Sequence, residues 1–196
     1  MLSGGHTPMP AYRELARRRP AAAQPFSVLF SDERHVPADS ESSNYHQSLP
    51  LVEALALPEP AVLRVRTELP LEEAARDYER RLQTLLEAGT RIGLGLLGLG
   101  ADGHTASLFG PDDLERARSR LAIPVQRPDG MAAVSVTPQL LARIETVLFV
   151  IAGGGKYDAI RALLAGDPAL TAVQAVRDCP RVEVWVDQSA EWSVLA

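Results

Sequence analysis

Four short segments of this 196-residue chain carry side chains able to do chemistry. The densest is Gly98-Leu99-Gly100-Ala101-Asp102-Gly103-His104-Thr105-Ala106-Ser107-Leu108-Phe109. Histidine titrates near neutrality and can take a proton from water, and a carboxylate such as Asp102 can orient the ring or stabilise its charged form. A lone loop histidine is more often structural, but a Gly-Asp-Gly-His turn after an apolar run argues for catalysis. Asp32-Glu33-Arg34-His35-Val36-Pro37 reads in two ways: a solvated loop with an internal ion pair, or a guanidinium held as a fixed fork for phosphate. Ser3-Gly4-Gly5-His6-Thr7-Pro8 is either a simple capped turn or a cradle of backbone N–H groups and hydroxyls for an anion, ahead of a helix N-terminus. Gly153-Gly154-Gly155-Lys156 suits an anionic ligand or marks a helix start with a surface lysine. Lys156 is the single lysine among 20 basic residues, which favours the first reading.

Other chemistries find no support. His6, His35 and His46 have no ligand-like spacing with one another or with Cys179, so no metal is expected. Ser107 lacks the Gly-x-Ser-x-Gly elbow of serine hydrolases. Gly98-x-Gly100-x-x-Gly103 matches a dinucleotide pattern, yet no acidic residue ends a strand about 20 residues later and no good helix follows. Twenty-five acidic residues against 20 basic give a net charge of −5, which argues against nucleic acid or an anionic membrane as partner. One cysteine allows no intrachain disulfide and points to a reducing compartment. The apolar runs stop short of the roughly 18 residues that span a bilayer, and the first residues lack the marks of a signal peptide. A cytoplasmic domain is the expectation.

The elements that must position these loops follow from periodicity. Short helices are expected over 11–18 and 156–165. Leu71, Ala74, Ala75, Tyr78, Leu82, Leu85 and Leu86 form one helical stripe closed by Gly89. Strands are expected over 26–30, 92–99 (buried on both faces), 145–152 and 182–186, with a short amphipathic tail after the last. Residues 121–125 and 133–136 read as a pair of short strands. Trp185 and Trp192 read as core or edge packing, and the prolines near Pro58 and Pro128 as surface loops. With 46% apolar and 23% charged residues, residues 1–196 make a single domain. The alternation predicts an α/β fold with a mainly parallel sheet. Ligands of such sheets sit beyond the carboxyl ends of the strands, where all four loops lie.

Taken in order, Leu2-Ser3-Gly4-Gly5-x-Thr7-Pro8, Asp32-Glu33-Arg34-x-Val36-Pro37 with Ser43-Asn44-Tyr45, the Gly98–Phe109 segment and Gly153-x-x-Lys156 resemble the 6-phosphogluconolactonase family. Related glucosamine-6-phosphate deaminases share the Asp-Gly-His core but continue differently after the histidine. The resemblance implies a doubly wound sheet with helices on both faces. It implies hydrolysis of 6-phospho-D-glucono-1,5-lactone to 6-phosphogluconate, the second step of the pentose phosphate pathway, without a cofactor. His104, supported by Asp102, would activate water; Arg34 and Lys156 would hold the phosphate; Ser3, Gly4, Gly5 and Thr7 would cradle the ligand. The partner would be a small phosphorylated sugar lactone, with the protein a monomer or weak homo-oligomer. The rivals are a sugar-phosphate isomerase or deaminase of the same fold, and a non-catalytic sugar-phosphate-binding remnant.

The chain departs from the family pattern in places. Relatives carry a helix and strand before Ser-Gly-Gly, whereas Met1 stands almost at the loop. A unit of roughly 30 residues is therefore expected upstream in the reading frame, and without it an apolar slot should open in the sheet. Gly110-Pro111 replaces the usual proline after Leu-Phe, Ala132-Ala133 stand where relatives usually have an arginine, and Ala152 replaces a threonine.

Overall fold

The computed structural model describes residues 1–21 and 25–187; the expected amphipathic tail and Trp192 fall outside them. In chain order the elements are α1 (Met9–Arg18), β1 (Val28–Leu29), β2 (Asp32–Arg34), α2 (Asn44–Ala54), β3 (Val62–Leu63), α3 (Leu71–Glu87), β4 (Ile92–Leu97) and α4 (Pro111–Arg116). There follow β5 (Ala122–Gln126), β6 (Ala132–Val136), α5 (Pro138–Leu141), β7 (Ile144–Ile151), α6 (Tyr157–Ala165), α7 (Thr171–Val176) and β8 (Val182–Val186).

β1 pairs with β3, and β4 with β7 and β7 with β8, all in parallel. Met1 and Leu2 join the two groups. The Leu2 N–H donates to Leu29 O (2.7 Å) and its carbonyl accepts from Ser31 N (2.8 Å), while the Met1 carbonyl accepts from Leu96 N (2.9 Å). A single stretch of chain thus pairs on both sides, and the order becomes β3, β1, Met1–Leu2, β4, β7, β8. The expected pair of short strands is present as β5 and β6, which with β2 forms a small antiparallel sheet in the order β2-β6-β5.

Successive residues of a strand face opposite sides of the sheet. Leu2 and Leu96 accordingly meet Met9, Tyr12 and Leu51 of α1 and α2, whereas Met1 and Leu97 enter the larger cluster with Ala74, Ala75, Tyr78 and Leu82 of α3. Helices therefore cover both faces, as a doubly wound fold requires. The α3 stripe falls where the three- and four-residue spacing puts it, and Ala74, Ala75, Tyr78 and Leu82 are fully buried.

Three expectations need correction. The first strand is shorter than 26–30, with Phe26 substantially exposed. Asp32-Glu33-Arg34 is not loop but strand, its backbone held by β6 in the register Asp32↔Ser135 and Arg34↔Ala133. β4 is not buried throughout: Leu94 is 49% exposed. Beside Met1, between the edges of β1 and β4, lies a cavity of about 1030 Å³ lined by Phe26, Val28, Leu55, Ile92 and Leu94 among others. α2 was not legible, having weak amphipathic character and Pro50 in its interior. Among the described residues no helix is long and apolar enough to cross a membrane.

Candidate active site

A second cavity, of about 360 Å³, lies beyond the carboxyl ends of β1, β4 and β7. Its wall takes residues from all four segments: Ser3, Gly4, Gly5 and Thr7; Arg34 of β2; Gly98, Gly100 and His104; and Lys156. Their convergence comes from topology, since parallel strands deliver their following loops to one edge.

The Asp102–His104 pair is built by a tight turn. The Gly103 N–H donates to Gly100 O (3.0 Å) and the Gly100 N–H to His104 O (2.9 Å), with Gly103 at φ +82°, a left-handed conformation that glycine takes without strain. His104 Nδ1 lies 2.5 Å from Asp102 Oδ1. Burial by itself would raise the Asp102 carboxyl, but its hydrogen bond and charge attraction to His104 outweigh that and hold it below the ordinary carboxylate value. An ionised carboxylate has no proton to give, so Nδ1–H is the donor and Nε2 is left as the basic nitrogen. The imidazole also packs against Phe109, ring centroids 4.5 Å apart.

Arg34 is seated by Asn44. Its Nη1 donates to Asn44 Oδ1 (2.6 Å) and to Ser42 O (2.9 Å), and the Asn44 amide is fixed in turn by donating to Asp32 O (2.8 Å). Arg34 Nε is buried and has no partner among the described residues. The Ser3–Thr7 loop closes over this seat. A Cβ at Gly4 would lie 1.8 Å from Asn44 Oδ1, so only glycine allows the approach. Tyr12 pins the loop, its hydroxyl accepting from Ser3 N (3.1 Å) and donating to Ser3 O (3.0 Å). Lys156 opens α6 with no ion pair among the described residues, and burial lowers its pKa.

Two wall residues were not foreseen. Asn44 stood in the Ser43-Asn44-Tyr45 segment without an assigned role. Arg127 was read as part of a surface loop, yet its guanidinium turns back into the cavity wall. One arginine before a proline, in a chain rich in arginine, carries no local signal of that direction.

The glucosamine-6-phosphate isomerase/6-phosphogluconolactonase family model matches residues 1–185. The chain belongs to this family. Among relatives, the 6-phosphogluconolactonase of Thermotoga maritima is 34% identical over 172 residues, covering 86% of this chain and 75% of that one. The human 6-phosphogluconolactonase is 35% identical over 173 residues, covering 83% and 67%. The crystal structure of the Thermotoga maritima enzyme superposes with a TM-score of 0.77 at 32% identity, over 94% of this chain and 82% of that one. A monomeric glucosamine-6-phosphate deaminase shares the fold at a TM-score of 0.77 and 20% identity. The cavity brings the Asp102-paired His104 together with the side chains of Arg34 and Lys156.

Proposed function

We propose that this chain hydrolyses 6-phospho-D-glucono-1,5-lactone to 6-phospho-D-gluconate, with His104 as the general base. The observation that carries the reading is the Asp102-backed imidazole opening onto the same cavity as Arg34, Lys156 and the Ser3–Thr7 loop. Water attacks the lactone carbonyl carbon while His104 Nε2 takes its proton. Asp102 stabilises the imidazolium, and as the ring C–O bond breaks the imidazolium returns the proton to the leaving oxygen, which becomes a hydroxyl. A positioned base contributes roughly 10²–10⁴-fold, a modest device that suits an already reactive ester. Arg34 and Lys156 supply the positive charge that an acidic protein needs to hold a phosphorylated substrate, and Ser3, Gly4, Gly5 and Thr7 line its cradle. The same reading has the protein act in the cytoplasm as a monomer or weak homo-oligomer on a small molecule, with no nucleic acid, membrane or cofactor.

The test follows acid release from freshly generated 6-phospholactone, with spontaneous hydrolysis subtracted. Hydrolysis well above background is expected, with no ammonia released from glucosamine 6-phosphate. Ammonia release without lactone hydrolysis would assign the site to deamination, and neither activity would leave a binding protein. Addition of 6-phosphogluconate at 100 times its Kd should raise the unfolding free energy by about 2.7 kcal/mol.

Gly100→Ala probes the His–Asp pair without altering either member. A Cβ there would stand 2.1 Å from His104 Nδ1 and 2.3 Å from Asp102 Oδ1, so the two must part. We expect kcat to fall by about tenfold or more, with the Michaelis constant little changed. Steady-state kinetics at saturating lactone decide it, and an unaltered kcat would remove the pair from the mechanism.

A further inference from the structure

Arg127 is placed and held like a binding residue. It follows β5 at the start of a turn in which the Gly130 N–H donates to Arg127 O (3.0 Å). Its side chain is only 14% exposed. On one side Nε and Nη2 contact the Asp129 carboxylate, at 3.1 and 3.0 Å from Oδ2. On the other, Nη1 donates to Ser107 Oγ (3.2 Å), and that hydroxyl donates onward to buried Asp32 Oδ2 (2.8 Å). The guanidinium lies over the Phe109 ring, 5.3 Å from its centroid, and that same ring packs against His104. Arginine carries five N–H donors. Nε, Nη1 and Nη2 each make contacts here, and the second hydrogens of Nη1 and Nη2 have no acceptor among the described residues.

Phe109 therefore touches both a proton-transfer group and a rigid cation, His104 and Arg127, which line one cavity. The lactone end of the proposed substrate is neutral and its phosphoryl end anionic. A ligand with its carbonyl at His104 can bring its charge toward the arginines of the same wall. Arg34 lines the same cavity, and its charge, with that of Arg127, reaches the Asp129 carboxylate.

We propose that Arg127 is a specificity-determining residue, a second guanidinium that shares the substrate phosphate with Arg34 and makes the site select phosphorylated over unphosphorylated lactone. The proposal rests on the lactonase reading. Held on both flanks and stacked on a ring, this cation loses little freedom on binding, which is the condition under which a charged hydrogen bond contributes most.

The experiment compares the parent with Arg127→Ala, Arg127→Gln and Arg127→Lys. It measures kinetics on 6-phospholactone and on glucono-1,5-lactone, and calorimetric binding of 6-phosphogluconate and gluconate. For Arg127→Ala we expect the Michaelis constant for the phosphorylated lactone to rise roughly 10- to 100-fold, with kcat little changed. Hydrolysis of the unphosphorylated lactone should stay at the parent rate, and Arg127→Lys should recover part of the loss. Should the alanine variant fail to fold, Arg127→Gln decides by the same criteria. Equal losses on both lactones would overturn the proposal, since Arg127 would then only brace Phe109 and Ser107; so would an unchanged Michaelis constant. A parent inactive on both lactones overturns the lactonase reading instead. The calorimetric arm still judges the arginine: selective loss of 6-phosphogluconate binding supports it, and equal binding by parent and variant overturns it.

Discussion

His104→Ala is expected to lower the hydrolysis of 6-phospholactone by roughly 10²–10⁴-fold, the range a positioned general base supplies. Binding of 6-phosphogluconate should survive, because the phosphate seat stands on other elements: Arg34 on β2 and Lys156 at the start of α6. Asp102→Asn should give a smaller loss in the same step, since an amide carries no charge to balance the imidazolium. The measurement is single-turnover hydrolysis at saturating lactone, corrected for the spontaneous reaction, beside calorimetric binding of 6-phosphogluconate. Parent-like turnover by His104→Ala would exclude the imidazole as the base. Loss of binding together with turnover would make it a structural residue.

Glu33→Ala is expected to be the most damaging change to stability near the site, at about 2–4 kcal/mol. The Glu33 side chain is almost fully buried and accepts four hydrogen bonds. They come from Arg34 N (3.0 Å), Asn44 N (2.7 Å), Tyr45 N (2.8 Å) and Ser43 Oγ (3.1 Å). Two of these donors are the first N–H groups of α2, which has no acidic residue in its own first turn. Glu33 thus caps a neighbouring helix and, through Asn44, holds the seat of Arg34. Urea unfolding should show the loss, and the Michaelis constant for 6-phospholactone should rise with it. Burial pushes the Glu33 carboxyl up to about 7. The folded chain therefore binds this proton more tightly than the unfolded one. The associated stability is complete below the ordinary carboxylate range and is lost as pH rises through about 7. Glu33→Gln should flatten that part of the stability–pH curve; a variant as stable as the parent and with the same pH dependence would contradict the capping role.

Much of the site was readable because its signals are local. Glycines next to a histidine or a lysine, each placed after an apolar run, mark strand ends where parallel sheets gather their ligands. The α3 stripe and the apolar β4 and β7 were readable for the same reason, since periodicity within one segment determines them. The misses depend on partners distant in sequence. Asp32-Glu33-Arg34 is polar and becomes a strand only because Ala133–Ser135 supply its ladder. Arg127 faces the cavity because Ser107, Phe109 and Asp129 hold it there, and two of those three lie on another segment. The exposure of Leu94 reflects its place on the cavity between β1 and β4 and not its own residue type.

The join made by Met1 and Leu2 has a consequence for the chemistry. Arg34 and Arg127 belong to the antiparallel β2-β6-β5 group, whereas Asp102, His104 and Lys156 follow β4 and β7. The base and the two guanidinium groups are thus mounted on opposite banks of a seam, which Ser107 also crosses through Asp32, Ser135 and Arg127. Among the described residues, the strand pairing between β1 and β4 is stitched by those two residues alone. On the proposed reading, a sugar phosphate reaching both banks would act as a clasp across the stitch. A parting of the banks would misalign carbonyl and imidazole, so turnover should report on the integrity of that seam.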